Sequence, residues 1–275
     1  MVDSEAKKLS RRRLLKRIGY GGAALAAFGG YQSFDDDAIV VEKHTLQLPR
    51  WNADGFKVAF LTDMHIDGPQ MLRRMKKAVE IAVAHKPDVI LIGGDNFTYR
   101  ESFDSSMWLD PLGMIADSRI PAFNILGNHE YGIRGRTEIF DSLGRAPVRL
   151  LRNEIAEVDG VNIFGFDDGN NRMDRHDLLG PSHEKNMIAL FHEPDWVERI
   201  DDRFSVQLSG HSHGGQVCLP FGIPIHTPVG SKKYKKGFYR DAKVPLYVSR
   251  GLATVGIPMR VNCPPEVSIL TLRSV

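Results

Sequence analysis

Residues 57–65 read KVAFLTDMH, a short apolar run of strand character that is followed at once by Asp63 and His65. The same arrangement returns at residues 89–95, VILIGGD, where an apolar run leads through two glycines to Asp95. Aliphatic and β-branched runs of this length are typical of buried strands. Each stretch therefore predicts a strand that ends in a polar cluster.

An amphipathic helix is predicted between these two strands. Leu72, Met75, Val79 and Ala82 recur at helical spacing and form one apolar face. The basic residues between them are expected to lie on the solvent-exposed face, and these are Arg73, Arg74, Lys76 and Lys77.

Strand patterns alternate with helix patterns early in the chain and dominate later, which favours a sheet-rich α/β domain with helices on the outside. Weaker helix patterns lie at 107–116, 136–143 and 196–200. Further predicted strands are 122–126, 161–166, 187–191, 204–208, 246–249 and 267–272.

Polar clusters follow five of the apolar runs, and in α/β sheets the carboxyl ends of the strands form the edge where ligands bind. A spacing of two puts Asp63 with His65, and His211 with His213, on one side of an extended backbone. The glycines beside Asp95 allow backbone and metal to approach closely. The remaining clusters are 127–130 (GNHE), His192 and 210–213 (GHSH).

Together the clusters offer four imidazoles, two carboxylates and one amide oxygen, a donor set that suits manganese, iron, zinc or cobalt better than calcium. Because a carboxylate has two oxygens, Asp95 can bridge two cations. Each cluster alone is common as a turn or a surface pair, but five in this order predict one metal site. The expected ligands are Asp63, His65, Asp95, Asn128, His192, His211 and His213.

The motif order D-x-H, G-D, G-N-H-E, H and G-H-x-H across residues 63–213 resembles that of the calcineurin-like metallophosphoesterase family. The resemblance implies an α/β fold, a sandwich of two packed mixed β-sheets flanked by helices. His129 matches the family's non-ligand, catalytic histidine beside the scissile phosphate, and Glu130 is an allowed variant in its motif. The implied first metal is held by Asp63, His65, Asp95 and His213, and the second by Asp95, Asn128, His192 and His211.

The resemblance further implies an enzyme that hydrolyses a phosphodiester or pyrophosphate bond with two divalent cations. Manganese is expected first, with iron, zinc, cobalt or magnesium as alternatives. Two cations about 3.5–4 Å apart can clamp a phosphate and activate a water, and His129 would stabilise charge or protonate the leaving oxygen. The alternative is a catalytically silent scaffold that binds a partner. Such a relative would be expected to lose His129 or several ligands, and none is lost.

Residues 1–37 are predicted to form a basic leader, and 38–275 the catalytic domain. The leader contains the pair Arg11-Arg12 and an apolar, Gly/Ala-rich stretch at 18–31. A basic segment before a short apolar one resembles a twin-arginine export signal, which predicts a periplasmic or cell-envelope protein. Because a spanning helix needs about 20 apolar residues, a permanent span is disfavoured. A membrane tether that leaves the body on the cytoplasmic face is one alternative, and an amphipathic surface helix is another.

The charge is unevenly distributed along the chain. The first 30 residues carry seven Lys/Arg and two Asp/Glu, whereas the rest carries 29 basic and 32 acidic side chains. This distribution argues against a specific nucleic-acid partner. Cys218 and Cys263 lack C-x-x-C spacing and are expected to be ordinary buried or half-buried thiols, with a disulfide open if the body is exported.

Several segments bear on the substrate. The leader, 214–216 (GGQ), 247–252 and 263–266 resemble the exported or membrane-attached branch of the family, which includes a UDP-2,3-diacylglucosamine pyrophosphatase of lipid A synthesis. An apolar loop at 217–225, followed by basic residues, suits a lipid-linked phosphate or an anionic membrane. A core-packing loop with solvated charges is the alternative. Arg250 ends a predicted strand and is expected to reach a substrate phosphate, with a structural ion pair as the alternative.

Overall fold

The computed structural model describes residues 39–98, 109–132, 136–179 and 185–275. The predicted leader and the start of the helix predicted at 107–116 lie outside these residues. The strands are β1 (Val40–Leu48), β2 (Phe56–Leu61), β3 (Val89–Ile92), β4 (Ala122–Asn124), β5 (Arg149–Leu150), β6 (Glu154–Val158), β7 (Val161–Gly165), β8 (Met187–Leu190), β9 (Val206–Ser209), β10 (Cys218–Leu219), β11 (Ile223–Pro224), β12 (Gly237–Tyr239), β13 (Leu246–Val248) and β14 (Glu266–Ser274). The helices are α1 (Pro69–Ala84), α2 (Leu109–Ser118), α3 (Asn128–Tyr131) and α4 (Arg136–Arg145), with 3-10 turns at His176–Leu179, Pro194–Glu198, His213–Gly215 and Pro220–Gly222.

Two six-stranded mixed sheets pack against each other. The first has the order β1-β14-β2-β3-β4-β5, in which only the β14–β2 pair is antiparallel. The second has the order β12-β13-β9-β8-β7-β6, in which the two outermost pairs are antiparallel and the inner pairs parallel. The predicted sandwich of two mixed sheets is confirmed.

The alternation of side chains along β2 explains why both faces of the first sheet are buried. Val58 and Phe60 point into the core between the sheets, where Leu190 of the second sheet also lies. Ala59 and Leu61 point the other way and pack in the layer that contains α1 and α2. The strand β2 is therefore apolar at successive positions because its two faces pack into two different cores.

The outer face of the second sheet is covered differently from that of the first. Aromatic side chains from loops and 3-10 turns cover it, among them Phe166, Phe191 and Trp196. The helix predicted at 196–200 is instead the 3-10 turn Pro194–Glu198. The Asp195 carboxylate in this turn accepts backbone N–H groups of residues 232–234, which ties the turn to a distant loop.

One residue of the predicted helix α1 lies on the opposite side from that expected. Arg74 is buried, and its guanidinium donates a hydrogen bond to the carbonyl oxygen of Leu252 at 3.3 Å. The prediction that Arg74 faces solvent is therefore wrong, because the segment around Leu252 packs over this side of the helix. Cys218 and Cys263 are both buried free thiols, as expected.

Candidate metal centre

Four strands, two from each sheet, lead six of the seven predicted ligands to one place. β2 and β3 of the first sheet lead to Asp63, His65 and Asp95, and β8 and β9 of the second lead to His192 and the 211–213 pair. Their ligand atoms form two groups, each within 4.8 Å, that share Asp95 and are together called the Asp/His cluster. The first group is Asp63, His65, Asp95 and His213, and the second is Asp95, His192 and His211.

The buried carboxylate of Asp95 lies at the centre of the cluster. Its Oδ2 is 3.1 Å from His192 Nε2 and 3.4 Å from His65 Nε2. Its Oδ1 accepts the backbone N–H of His129 at 2.9 Å. One oxygen is thus held by the backbone while the other faces histidines of both groups.

Backbone carbonyls orient three of the cluster histidines. Nδ1 of His192 lies 2.8 Å from the Gly93 oxygen, Nε2 of His211 lies 2.7 Å from the Val229 oxygen, and Nδ1 of His213 lies 3.4 Å from the Ala253 oxygen. A carbonyl can only accept, so these nitrogens carry the N–H of the neutral ring. In the neutral ring the other nitrogen has a free lone pair, as metal-binding histidines require.

Asp63 is fixed in the first group by donors on both of its oxygens. The backbone N–H of His211 lies 2.9 Å from Oδ1 and 3.0 Å from Oδ2, and the Thr62 hydroxyl donates to Oδ2. His213 Nε2 is 3.5 Å from Oδ1 and 3.2 Å from His65 Nε2. Two rings and one carboxylate therefore converge on a small volume.

Burial favours the neutral, metal-binding form of two histidines. Removal from water lowers the pKa of His65 to about 3 and that of His211 to about 4. Burial also raises the pKa of Asp63 to about 6, and Asp95 adds to the rise. At His192, burial opposes the charged ring, but the carboxylate of Asp95 outweighs it and raises the pKa. A proton and a metal cation would thus compete for the same nitrogen of His192.

An unpartnered buried polar atom indicates that these residues fit a cation. Oδ1 of Asn128 is buried, and no hydrogen-bond partner for it lies among the residues that the structure describes. Nε2 of His192 is also buried, but it faces the Asp95 carboxylate. Leaving such atoms unsatisfied is costly. A divalent metal accepts electron pairs from an amide oxygen and from a neutral imidazole, so it would satisfy the Asn128 oxygen.

The backbone at the ligands is not that of a strand. β2 ends at Leu61 and β9 at Ser209, and Asp63, His65, Asp95, His211 and His213 all have φ between 41° and 65°. The explanation that spacing by two places these pairs on one strand face is therefore wrong. Left-handed φ at residues other than glycine is uncommon and clusters at functional sites.

The sequence of residues 56–215 matches the family model described as calcineurin-like phosphoesterase. The chain belongs to the calcineurin-like phosphoesterase family. Its relatives extend over nearly the whole chain. The Bacillus subtilis protein YkuE, an uncharacterized metallophosphoesterase, is 32% identical over 98% of this chain and 99% of its own. The Escherichia coli phosphodiesterase YaeI is 29% identical over 96% of this chain and 99% of its own. An uncharacterized metallophosphoesterase of Aquifex aeolicus is 32% identical over 89% and 96%.

The family and the buried cluster together make this chain a metal-dependent phosphoesterase. A cleft of about 520 Å³ opens beside the cluster, lined by Asp95, Asn128, His129, His211 and His213 among others. Four of the seven predicted ligands therefore line a cavity beside the cluster.

The structure places His129 next to the cluster but in neither ligand group. Its ring packs edge-on against that of His65, with 4.5 Å between centroids, and it lines the cleft. It lies at the start of the one-turn helix α3, where its N–H holds Asp95. A histidine so placed can contact a phosphoryl group in the cleft without being a ligand.

Glu130 has a role in this phosphoesterase that the sequence did not show. Its buried carboxylate accepts backbone N–H groups of Asp95, Asn96, Phe97 and Gly127 at 2.7–3.2 Å. Burial raises the pKa of Glu130 to about 8, whereas the amide donors oppose the rise. The carboxylate joins the Asp95 loop to the start of α3. Its place in the G-N-H-E motif was the available signal.

Asn170 and Glu193 also support the cluster and were not predicted. The Asn170 amide donates to the Val229 carbonyl at 3.1 Å, the same carbonyl that orients His211, and Glu193 accepts the backbone N–H groups of Gly169 and Asn170. Glu193 directly follows the predicted ligand His192, which was a signal in the sequence. Asn170 had none, because its loop contains none of the motifs.

The contacts of Arg250 favour the ion-pair alternative over the predicted substrate contact. Its guanidinium donates to Glu266 at 2.7 Å and to Glu42. It is absent from the residues described as lining the cleft. Glu42 lies on β1 and Glu266 on β14, so Arg250 ties the segment after β13 to the edge of the first sheet.

We predict that Gly127→Ala weakens metal binding by about tenfold or more, the size seen when support for ligands is lost. An added Cβ would lie 2.3 Å from Asp95 Oδ1 and 2.6 Å from the Asp95 nitrogen, and so must displace that carboxylate. Titration calorimetry with Mn²⁺ measures the change. Gly113→Ala is the matched control, since its Cβ meets nothing within 4 Å. Equal affinities of the two variants would contradict the prediction.

Proposed function

We propose that this phosphoesterase hydrolyses a phosphodiester or pyrophosphate bond with two divalent cations, of which manganese is the first candidate. The observation that carries the proposal is the sharing of Asp95 between two ligand groups. The buried, unpartnered Asn128 oxygen adds a neutral donor beside the second group. The phosphodiesterase YaeI, similar over almost the whole chain, supports diester hydrolysis.

The ligand residues divide between the two proposed cations. Asp63, His65 and His213 would hold the first and Asn128, His192 and His211 the second, with Asp95 common to both. When bound, the cations would act as Lewis acids and lower the pKa of a water. The chain itself orients the ligands through backbone carbonyls, excludes solvent from the cluster and positions His129 to stabilise charge or deliver a proton to the leaving oxygen.

Purified protein should hydrolyse bis-p-nitrophenyl phosphate in the presence of Mn²⁺ and stop when a chelator removes the metal. The reason is that the proposed nucleophile is a water whose pKa the bound cations would lower. Release of p-nitrophenol measures the rate, and re-addition of Mn²⁺, Zn²⁺, Co²⁺ or Mg²⁺ ranks the metals. A rate that survives exhaustive chelation would exclude the metal role.

His129→Ala should keep the affinity for Mn²⁺ but lose about 10²–10⁴-fold in kcat, the usual contribution of a positioned acid or charge stabiliser. The same diester assay and a Mn²⁺ titration measure the two effects. His44→Ala, a partly exposed histidine paired with Glu42, is the control. A near-normal rate for His129→Ala would remove this residue from the mechanism.

For the natural substrate we propose a lipid-linked phosphate such as UDP-2,3-diacylglucosamine. The support is the apolar side of the cleft, where Val217, Ile225, Pro228, Val255 and Ile257 face the polar ligands. A product assay should then show a higher kcat/KM for this pyrophosphate than for the soluble diester. A higher kcat/KM for the soluble diester would contradict the lipid-linked substrate.

For the location we propose membrane attachment or export through the predicted leader at 1–37, ahead of the catalytic domain at 38–275. Among the residues that the structure describes, no helix combines the length and apolar character needed to cross a bilayer. The Arg11-Arg12 pair supports export. Protease added to spheroplasts should then digest the body. A body that resists external protease would support a tether on the cytoplasmic face.

A further inference from the structure

Exposed apolar side chains concentrate at the mouth of the cleft. Six of them, called the apolar rim, come from two segments, 219–225 and 255–257. Phe221 is fully exposed, and the others are between 38% and 62% exposed. Three rim residues also line the cleft beside the metal ligands, so the rim and the site form one continuous surface. The rim consists of Leu219, Phe221, Ile223, Ile225, Val255 and Ile257.

The backbone presents Phe221 at the tip of a hairpin. β10 and β11 pair antiparallel, and the turn Pro220–Gly222 joins them. Phe221 has a φ of 64°, a conformation that is costly for a bulky residue. Lys236 Nζ donates to the Gly222 carbonyl at 2.7 Å and so fixes the base of the turn. The fold thus holds an aromatic ring in water, where it contributes nothing to the protein core.

Basic side chains predominate in the part of the sequence that carries the rim, although Lys233 and Arg250 among them are paired with carboxylates from other segments. From residue 203 to 265 the sequence contains nine Lys and Arg but a single acidic residue, Asp241. Lys232 lies beside the rim loop through its bond to the Thr227 carbonyl, as Lys236 does at Gly222. The loops that carry the rim therefore combine apolar tips with cationic flanks. Anionic lipid head groups attract this combination, and acyl chains accept the tips.

We propose that the apolar rim docks this phosphoesterase onto an anionic lipid bilayer, with Phe221 inserted about 5–10 Å into the head-group boundary. A bilayer accepts separate protrusions from two turns, whereas a protein partner needs a complementary surface. Docking places the cleft mouth at the level of the lipid phosphates. Only the delivery of a lipid phosphate to the cleft rests on the proposed function; the docking itself does not.

A tryptophan at the hairpin tip tests the docking in the full chain. Phe221→Trp and the control Leu178→Trp are compared, because Leu178 is 54% exposed and lies in a 3-10 turn away from the cleft lining. Vesicles contain phosphatidylcholine with about one third phosphatidylglycerol, brominated on the acyl chains. Both variants carry the same leader, so any binding through the leader is equal in the two. After the wild-type tryptophan signal is subtracted, the difference in quenching between the two variants measures insertion of the apolar rim.

The expected result is strong quenching of Phe221→Trp and none of Leu178→Trp, with weaker quenching on vesicles of phosphatidylcholine alone. Soluble inorganic phosphate should not change the Phe221→Trp spectrum. Equal signals from the two positions would overturn the proposal and favour a protein partner for the rim.

Activity assays on a soluble and on a vesicle-bound diester distinguish a failure of the docking proposal from a failure of the proposed function. Phe221→Asp should hydrolyse bis-p-nitrophenyl phosphate as the wild type does, because Phe221 does not line the cleft. Its rate on a phosphodiester lipid in vesicles should fall at least about tenfold, as expected from the loss of one buried phenyl ring, whereas Leu178→Asp should not change. If even the wild type hydrolyses no diester, the proposed function fails and quenching alone decides the docking.

Discussion

The candidate metal site depends on one buried carboxylate, that of Asp95. Two ligand groups share it, and it lies where strands of both sheets end. Burying a carboxylate is expensive unless opposite charge or hydrogen bonds compensate. Here the His129 N–H serves one oxygen and histidines face the other. The sandwich can bury this group because the site it builds is suited to cations.

The residues around the cluster fix the orientation of its side chains. Backbone carbonyls set the tautomers of three histidines, and Glu130 gathers four backbone amides around the Asp95 loop. The left-handed φ at five ligand positions turns their side chains toward one another after the strands end. Such conformations persist only where surrounding contacts over-determine them. Rigid strands, fixed rings and a braced loop together pre-organise the ligands, as metal-dependent hydrolysis requires.

The cleft borders both the candidate metal site and the apolar rim. Its polar side includes Asp95, His211 and His213 of the Asp/His cluster, and its apolar side continues outward into the rim. A phosphate group suits the polar side, and an aliphatic chain suits the apolar side. The proposals for a lipid-linked substrate and for bilayer docking therefore rest on one surface, although separate measurements test them.

The sequence alone determined much of the fold and identified the candidate ligands. Apolar runs such as 57–61 and 89–92 predicted β2 and β3, because a buried strand needs apolar residues wherever it lies. The motifs identified Asp95 and His129, because the residue type decides what can bind a metal or carry a proton. Only the tertiary structure decided that Arg74 is buried, that Arg250 pairs with Glu42 and Glu266, and that Glu130 braces the Asp95 loop. The physical reason is that burial, ion pairing and left-handed turns depend on which distant segment of the chain packs nearby. The local sequence does not specify that segment.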